Sequence, residues 1–176
     1  MRDLEKERKD EFMQVPALAA LPAEFIRKIE SWGFFCAPAS SRFHGAYAGG
    51  LFDHSKAVME SLVELTENNG LKWEDERSPY VVGMLHDLCK VDDYVFTNTG
   101  IKRNPEAEAG HAEKSLRFIK EAGLDLTDEE AECIRYHMGA FTDKSEWGKY
   151  SAATEANPNV LWTHHADMIA SHVRGI

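Results

Sequence analysis

The chain has 176 residues, of which 43% are hydrophobic and 28% charged, so it is long enough for one domain with a full core and is not of a disordered composition. Its net charge of −10 argues against a binder of long nucleic acid, because that affinity depends on Lys and Arg, but a small anionic substrate stays compatible if a metal supplies positive charge. No apolar run is long enough to cross a membrane and no secretory signal opens the chain, so we expect a cytoplasmic protein with no membrane partner.

The first half of the chain shows helical signals and no convincing alternating strand. A charged helix is predicted to run to about Met13, and a second one lies between Pro22 and Gly33, which are typical start and stop residues. The next helix covers residues 51–70 and closes on Asn69–Gly70.

The second half continues in the same way. A helix begins at Ser78–Pro79, and after a polar link near 91–110 two more are predicted over 111–123 and 127–139, the latter with a capping box from Thr127 to Glu130. A loose segment at 141–157 precedes a last helix over 158–173. We therefore predict an all-α, compact, single-domain helical bundle. Residues 1–39 would be N-terminal helices packing on a core domain of residues 40–176, and the two links are where a lid or substrate loop could lie.

The helix that starts at Ser78 is apolar on nearly every face, which is typical of a buried helix. Yet it carries His86 and Asp87 side by side, with Lys90 one turn later. A buried carboxylate is costly unless it is paired or coordinated. These side chains therefore need partners.

Other helices offer partners of the same kind. His54 lies on the apolar ridge of its helix, Asp167 is in mid-helix among mostly apolar residues, His111 follows a glycine, and His137 falls in a last turn. Taken singly, each has an ordinary interpretation: a hydrogen-bonded core histidine, a paired carboxylate, an exposed helix start or a favourable cation at a helix end. Together they match what a divalent transition metal requires, because imidazole and carboxylate are its common ligands.

The order of these residues resembles the HD superfamily of metal-dependent phosphohydrolases, which is named after its adjacent His-Asp pair. The segments that carry the resemblance are "SRFHGAYAGGLFDHS", "HDLCK" and "HHADMIAS", over roughly residues 40 to 172. "GHAEKS" and "IRYHMG" resemble the branch with six ligands and two metals.

The resemblance implies a ligand set and a reaction. His54, His86, Asp87 and Asp167 would hold one metal, and Asp87 would bridge to a second ion held by His111 and His137. The cofactor would be one or two divalent ions among Fe, Mn, Co, Ni, Zn and Mg. The substrate would be a small, nucleotide-like phosphate ester, either a phosphomonoester or a phosphodiester, cleaved by a metal-activated water.

Further residues are weaker candidates. Asp87 and Lys90 are the catalytic candidates, although Lys90 could equally be a cation at a helix end. Looser candidates for phosphate contacts are Arg42, His44, Lys102 and Arg103, although an exposed arginine on a loop is usually only solvated. Histidines expected to orient ligands or to pack are His164, His165 and His172.

Two departures and two rivals qualify the resemblance. There is no "GYP" signature of cyclic di-GMP esterases, and the nucleic-acid module that accompanies related exoribonucleases is missing. A di-iron oxygenase of the HD type and a non-catalytic metal- or nucleotide-binding sensor remain alternatives. The oligomeric state is open.

The chain has three cysteines and no Cys-x-x-Cys spacing: Cys36, Cys89 and Cys133. They are expected to be small buried hydrophobes, with a reactive thiol as the alternative.

Overall fold

The computed structural model describes residues 2–176, and it is helical over most of that length. The α-helices are α1 (Arg2–Gln14), α2 (Pro16–Ala19), α3 (Ala23–Ser31), α4 (Gly50–Asn69), α5 (Ser78–Leu85), α6 (Lys90–Asp93), α7 (His111–Glu121), α8 (Asp128–Tyr136), α9 (Trp147–Ala156) and α10 (Asn159–Met168). Short 3₁₀ turns cover Gly139–Phe141 and Lys144–Glu146, and a π-helical segment, Ile169–Arg174, continues α10. The predicted all-α fold is confirmed, and so is the capping box that opens α8 at Thr127.

Two local predictions were wrong. The link after the buried helix contains an antiparallel hairpin of β1 (Tyr94–Thr97) and β2 (Gly100–Arg103), which was not predicted because its strands are largely exposed and show no apolar alternation. The segment expected to be loose contains α9, whose only buried residue is Ala153, so it lacks the apolar stripe by which a helix is recognised in sequence.

One hydrophobic cluster joins the N-terminal helices to the rest. It includes Phe12 and Phe25 from the first forty residues together with Leu62, Leu85 and Ile134 from α4, α5 and α8. The boundary proposed at residue 40 stays a prediction. In the described part of the chain no helix is both long and apolar enough to cross a membrane.

Helices α4 and α5 pack against each other extensively, and a glycine makes their approach possible. A Cβ atom at Gly83 would lie 2.4 Å from Cα of Met59, closer than real contacts allow. Because glycine has no Cβ, the two backbones can meet there. This contact brings His54 of α4 beside the turn that follows α5.

Candidate metal centre

The six predicted ligands come from five places in the chain. His54 lies in the second turn of α4, and His86–Asp87 occupy the turn immediately after α5. His111 is the first residue of α7, and His137 directly follows α8. Asp167 lies near the end of α10.

Asp87 is the point on which these side chains converge. Its Oδ2 lies 3.4 Å from Nε2 of His86 and 3.5 Å from Nε2 of His54. Its Oδ1 lies 2.6 Å from Nε2 of His111 and 3.5 Å from Nε2 of His137. Asp167 joins from the other side of His54, with Oδ1 3.3 Å from the same Nε2 atom. The structure therefore brings all six residues together.

Buried polar atoms at this point lack hydrogen-bond partners. Among the described residues, five buried side-chain nitrogen or oxygen atoms are unpartnered; Ser55 Oγ is one, and the other four are Asp87 Oδ1 and Nε2 of His54, His86 and His137. The contact from His111 to Asp87 is short but is not aligned as a hydrogen bond. Buried polar groups in native proteins are almost always paired, so four orphan atoms directed at one point indicate a missing partner there.

Three of the histidines are oriented so that Nε2 is free to bind. Nδ1 of His86 lies 2.9 Å from the carbonyl oxygen of Gly83, and Nδ1 of His137 lies 2.7 Å from the carbonyl oxygen of Ile134. In His54 it lies 2.9 Å from the main-chain oxygen of Ile176. A carbonyl oxygen only accepts, so each Nδ1 carries a proton, and in the neutral ring each Nε2 presents its lone pair to the centre.

The charges at the centre stabilise an ionised carboxylate. Burial by itself would raise the pKa of Asp87, but the nearby Lys90 and His86 hold it well below its usual range. Nζ of Lys90 lies 2.6 Å from Oδ2 of Asp87. Burial opposes the ammonium, yet the attraction of Asp87 raises the pKa of Lys90, so both groups are charged at neutral pH.

These donors fit a divalent metal. Imidazole nitrogens and carboxylate oxygens are suitable ligands for first-row ions. Three groups have ligand atoms within 4.8 Å of one another: His54, His86 and Asp87; His86, His137 and Asp167; and Asp87, Cys89 and His111. Cys89 was not among the predicted ligands, since a single cysteine beside Asp87 in sequence carries no ligand spacing of its own.

The predicted substrate residues differ in their placement. The ring of His44 lies 4.9 Å from that of His54, between centroids, so His44 reaches the centre. Burial, with the charges of His54 and Lys90, lowers the pKa of His44 to about 4. Arg42 is exposed on the same loop, and the structure does not place it against the ligands.

The hairpin supplies the other candidates. Lys102 and Arg103 are exposed on β2, and Arg103 pairs across the hairpin with Tyr94. Tyr94 was not predicted; burial raises the pKa of its phenol, and the positive charges of Lys90 and Arg103 oppose that rise. Tyr94 begins the hairpin directly after α6, the short helix that starts at Lys90.

The remaining histidines have different surroundings. Nδ1 of His164 lies 2.8 Å from the main-chain oxygen of His137, so His164 supports a predicted ligand. His165 and His172 are exposed, and their ring nitrogens contact Leu161 and Ser171 within their own helical segment. Neither supports a ligand through these contacts.

Comparison with known proteins agrees with this geometry. The family model described as "HD domain" matches residues 51–171, more than half of the chain and a range that contains all six residues. No curated protein and no solved structure gave a match.

Proposed function

The chain belongs to the HD domain family, whose members are mostly metal-dependent phosphohydrolases, and we propose that it hydrolyses a small nucleotide-like phosphate ester. The observation that supports this most directly is the set of four unpartnered buried atoms around Asp87. Such atoms are costly to bury unless something binds them, and a divalent metal satisfies imidazole and carboxylate atoms together.

We assign the ligands as the family resemblance implies. His54, His86, Asp87 and Asp167 would hold one ion, and Asp87 would be shared with a second ion held by His111 and His137. The distances to both oxygens of Asp87 support this division, because His54 and His86 approach Oδ2 while His111 and His137 approach Oδ1.

A bound metal supplies Lewis acidity, and in favourable sites it lowers the pKa of water from about 15.7 to about 7. Side chains of the protein supply the other interactions with the substrate. Lys90 places an ammonium beside Asp87 that can offset negative charge on a phosphoryl oxygen. His44 is neutral at pH 7 and can donate or accept a hydrogen bond at the edge of the centre.

Substrate recognition is assigned to the hairpin and to the loop before α4. Arg103 and Tyr94 stand opposite each other in the hairpin that follows Lys90, and an arginine with a phenol can contact phosphate and a ring. Arg42 and Lys102 are secondary candidates. The net charge of −10 disfavours a long polynucleotide, which would be repelled over most of the surface.

The test begins with metal analysis of protein purified without oxygen. A panel of phosphomonoesters and phosphodiesters is then assayed with Mn²⁺, Co²⁺, Ni²⁺ and Mg²⁺. Ester cleavage supports the proposal. Iron with oxygen consumption and no cleavage would indicate an oxygenase, and nucleotide binding without turnover would indicate a sensor; either result would overturn it.

Two variants make this test specific to the site. Asp87→Ala should lose metal and activity while its circular dichroism stays helical, because both inferred ions depend on that carboxylate. Asp143→Ala, in an exposed turn, is the matched control and should keep both. Full metal content and turnover in Asp87→Ala would exclude the assigned centre.

A further inference from the structure

The four histidines of the centre are not oriented in the same way. In His54, His86 and His137 the Nδ1 atom faces a main-chain oxygen. In His111 it faces a side chain, with Sγ of Cys89 3.2 Å away. His111 is also the most exposed of the four, at 29% of its side chain. The orientation of His111 therefore depends on a side-chain atom that a substitution can remove, whereas the other three rings face main-chain oxygens.

Cys89 is held firmly in that place. Its side chain is buried, and its main-chain N–H donates to Oγ of Ser115, 3.1 Å away in α7, the helix that His111 begins. The thiol form is the ordinary state of a cysteine side chain at neutral pH. A protonated thiol can donate through S–H and can also accept at sulfur.

This double capacity distinguishes the thiol from a carbonyl. A carbonyl only accepts, which keeps a proton on Nδ1, so the neutral ring of each of the other three histidines has Nε2 free to bind. A thiol permits either neutral form of the ring. When Nε2 of His111 lies 2.6 Å from Oδ1 of Asp87, a bare nitrogen lone pair would face a carboxylate oxygen. The contact is not aligned as a hydrogen bond, but the negative charge of Asp87 so close to Nε2 favours a proton on that atom, which leaves Nδ1 bare to accept from S–H.

We propose that Cys89 is a positioning residue that makes His111 a conditional ligand, so that the second ion binds more weakly than the first. Without the second ion His111 carries its proton on Nε2 and Cys89 donates to Nδ1. When that ion binds, the Nε2 proton leaves to solvent, Nδ1 gains one from solvent, and sulfur accepts from Nδ1–H. The ring stays neutral and no net proton is released by His111. This inference rests on the proposed metal centre but not on its reaction.

The first experiment reads the ring protons directly. Nitrogen-15 spectra of histidine rings distinguish the two neutral forms, and they are recorded on the full chain without metal and with Zn²⁺. We expect His54, His86 and His137 to carry the proton on Nδ1 in both states, and His111 to carry it on Nε2 without metal and on Nδ1 with two ions bound. A proton on Nδ1 of His111 in the metal-free protein would overturn the inference.

The second experiment is calorimetric titration of Mn²⁺ into three variants. Cys89→Ala removes the partner of Nδ1 and should weaken the second binding step by about 10- to 100-fold, the usual effect of losing an orienting contact, while the first step is unchanged. Cys89→Ser keeps a group that donates and accepts and should recover most of that affinity. Cys133→Ala removes another buried thiol, whose sulfur contacts Asn157, and should leave both steps as in the wild type.

The outcomes separate this inference from the proposed function. A titration that is the same in Cys89→Ala and wild type, or an equal loss in Cys89→Ser and Cys89→Ala, would overturn the role of Cys89. Failure to cleave any phosphate ester would count against the function and leave both readouts unaffected, because neither depends on turnover.

Discussion

Replacing Lys90 by methionine tests whether a bound metal can balance the negative charge of Asp87 in place of this lysine. Methionine keeps the length of the chain and removes the ammonium that lies 2.6 Å from Oδ2 of Asp87. At that distance, with an effective dielectric constant of about 20, the attraction is about 6 kcal/mol before desolvation is subtracted. The Asp87 side chain is 3% exposed and that of Lys90 13%, so solvent screens the pair little.

The expected loss follows from leaving a buried carboxylate without its cation. Breaking such a pair costs about 3–5 kcal/mol of the free energy of unfolding, which a domain stable by about 5–15 kcal/mol survives. A divalent ion at the centre would compensate Asp87 in place of the ammonium. With saturating Mn²⁺, the deficit relative to the wild type should therefore shrink to about 1 kcal/mol, the cost of a volume-conserving substitution.

The assay is urea unfolding of wild type and variant, each with EDTA and with Mn²⁺. Lys114→Met is the matched control, because the Lys114 side chain is also buried, at 2% exposure, and its Nζ lies 2.8 Å from both Asp92 and Asp93, outside the centre. Its deficit should be the same with and without Mn²⁺. If the deficit of Lys90→Met is also unchanged by Mn²⁺, then no metal compensates Asp87 and the reasoning is refuted.

Two further predictions concern the metal count and the helix packing. His111→Ala and His137→Ala should each leave about one metal per chain by elemental analysis, and an unchanged count in both would argue for a one-metal centre. Gly83→Ala should lower the free energy of unfolding by about 1–3 kcal/mol in urea, because its Cβ would lie 2.4 Å from Cα of Met59. Gly148→Ala in α9, where nothing lies within 4 Å, should be neutral or slightly stabilising, and an equal loss in both would contradict this account of the α4–α5 contact.

Helix starts and stops were predictable because they depend on local chemistry. The capping box of Thr127 and the left-handed Gly70 that closes α4 are properties of a few neighbouring residues, and the structure has both. The hairpin at Tyr94–Arg103 was missed for the complementary reason: its strands are largely exposed, so no burial pattern is imposed on its sequence.

The sequence by itself determined that His54, His86–Asp87 and Asp167 stand in apolar stretches of the chain, because a polar group in an apolar run is visible without a structure and requires a partner. Only the tertiary structure decided which partner each one has. Lys90 was expected to face substrate, which stays a prediction, and the structure adds that its ammonium pairs with Asp87. The contacts of His111 with Cys89 and of His54 with Ile176 join residues 22 and 122 positions apart, and separations of this kind leave no periodic trace in the chain. Local patterns identify the groups that need a partner, whereas long-range packing selects the partner.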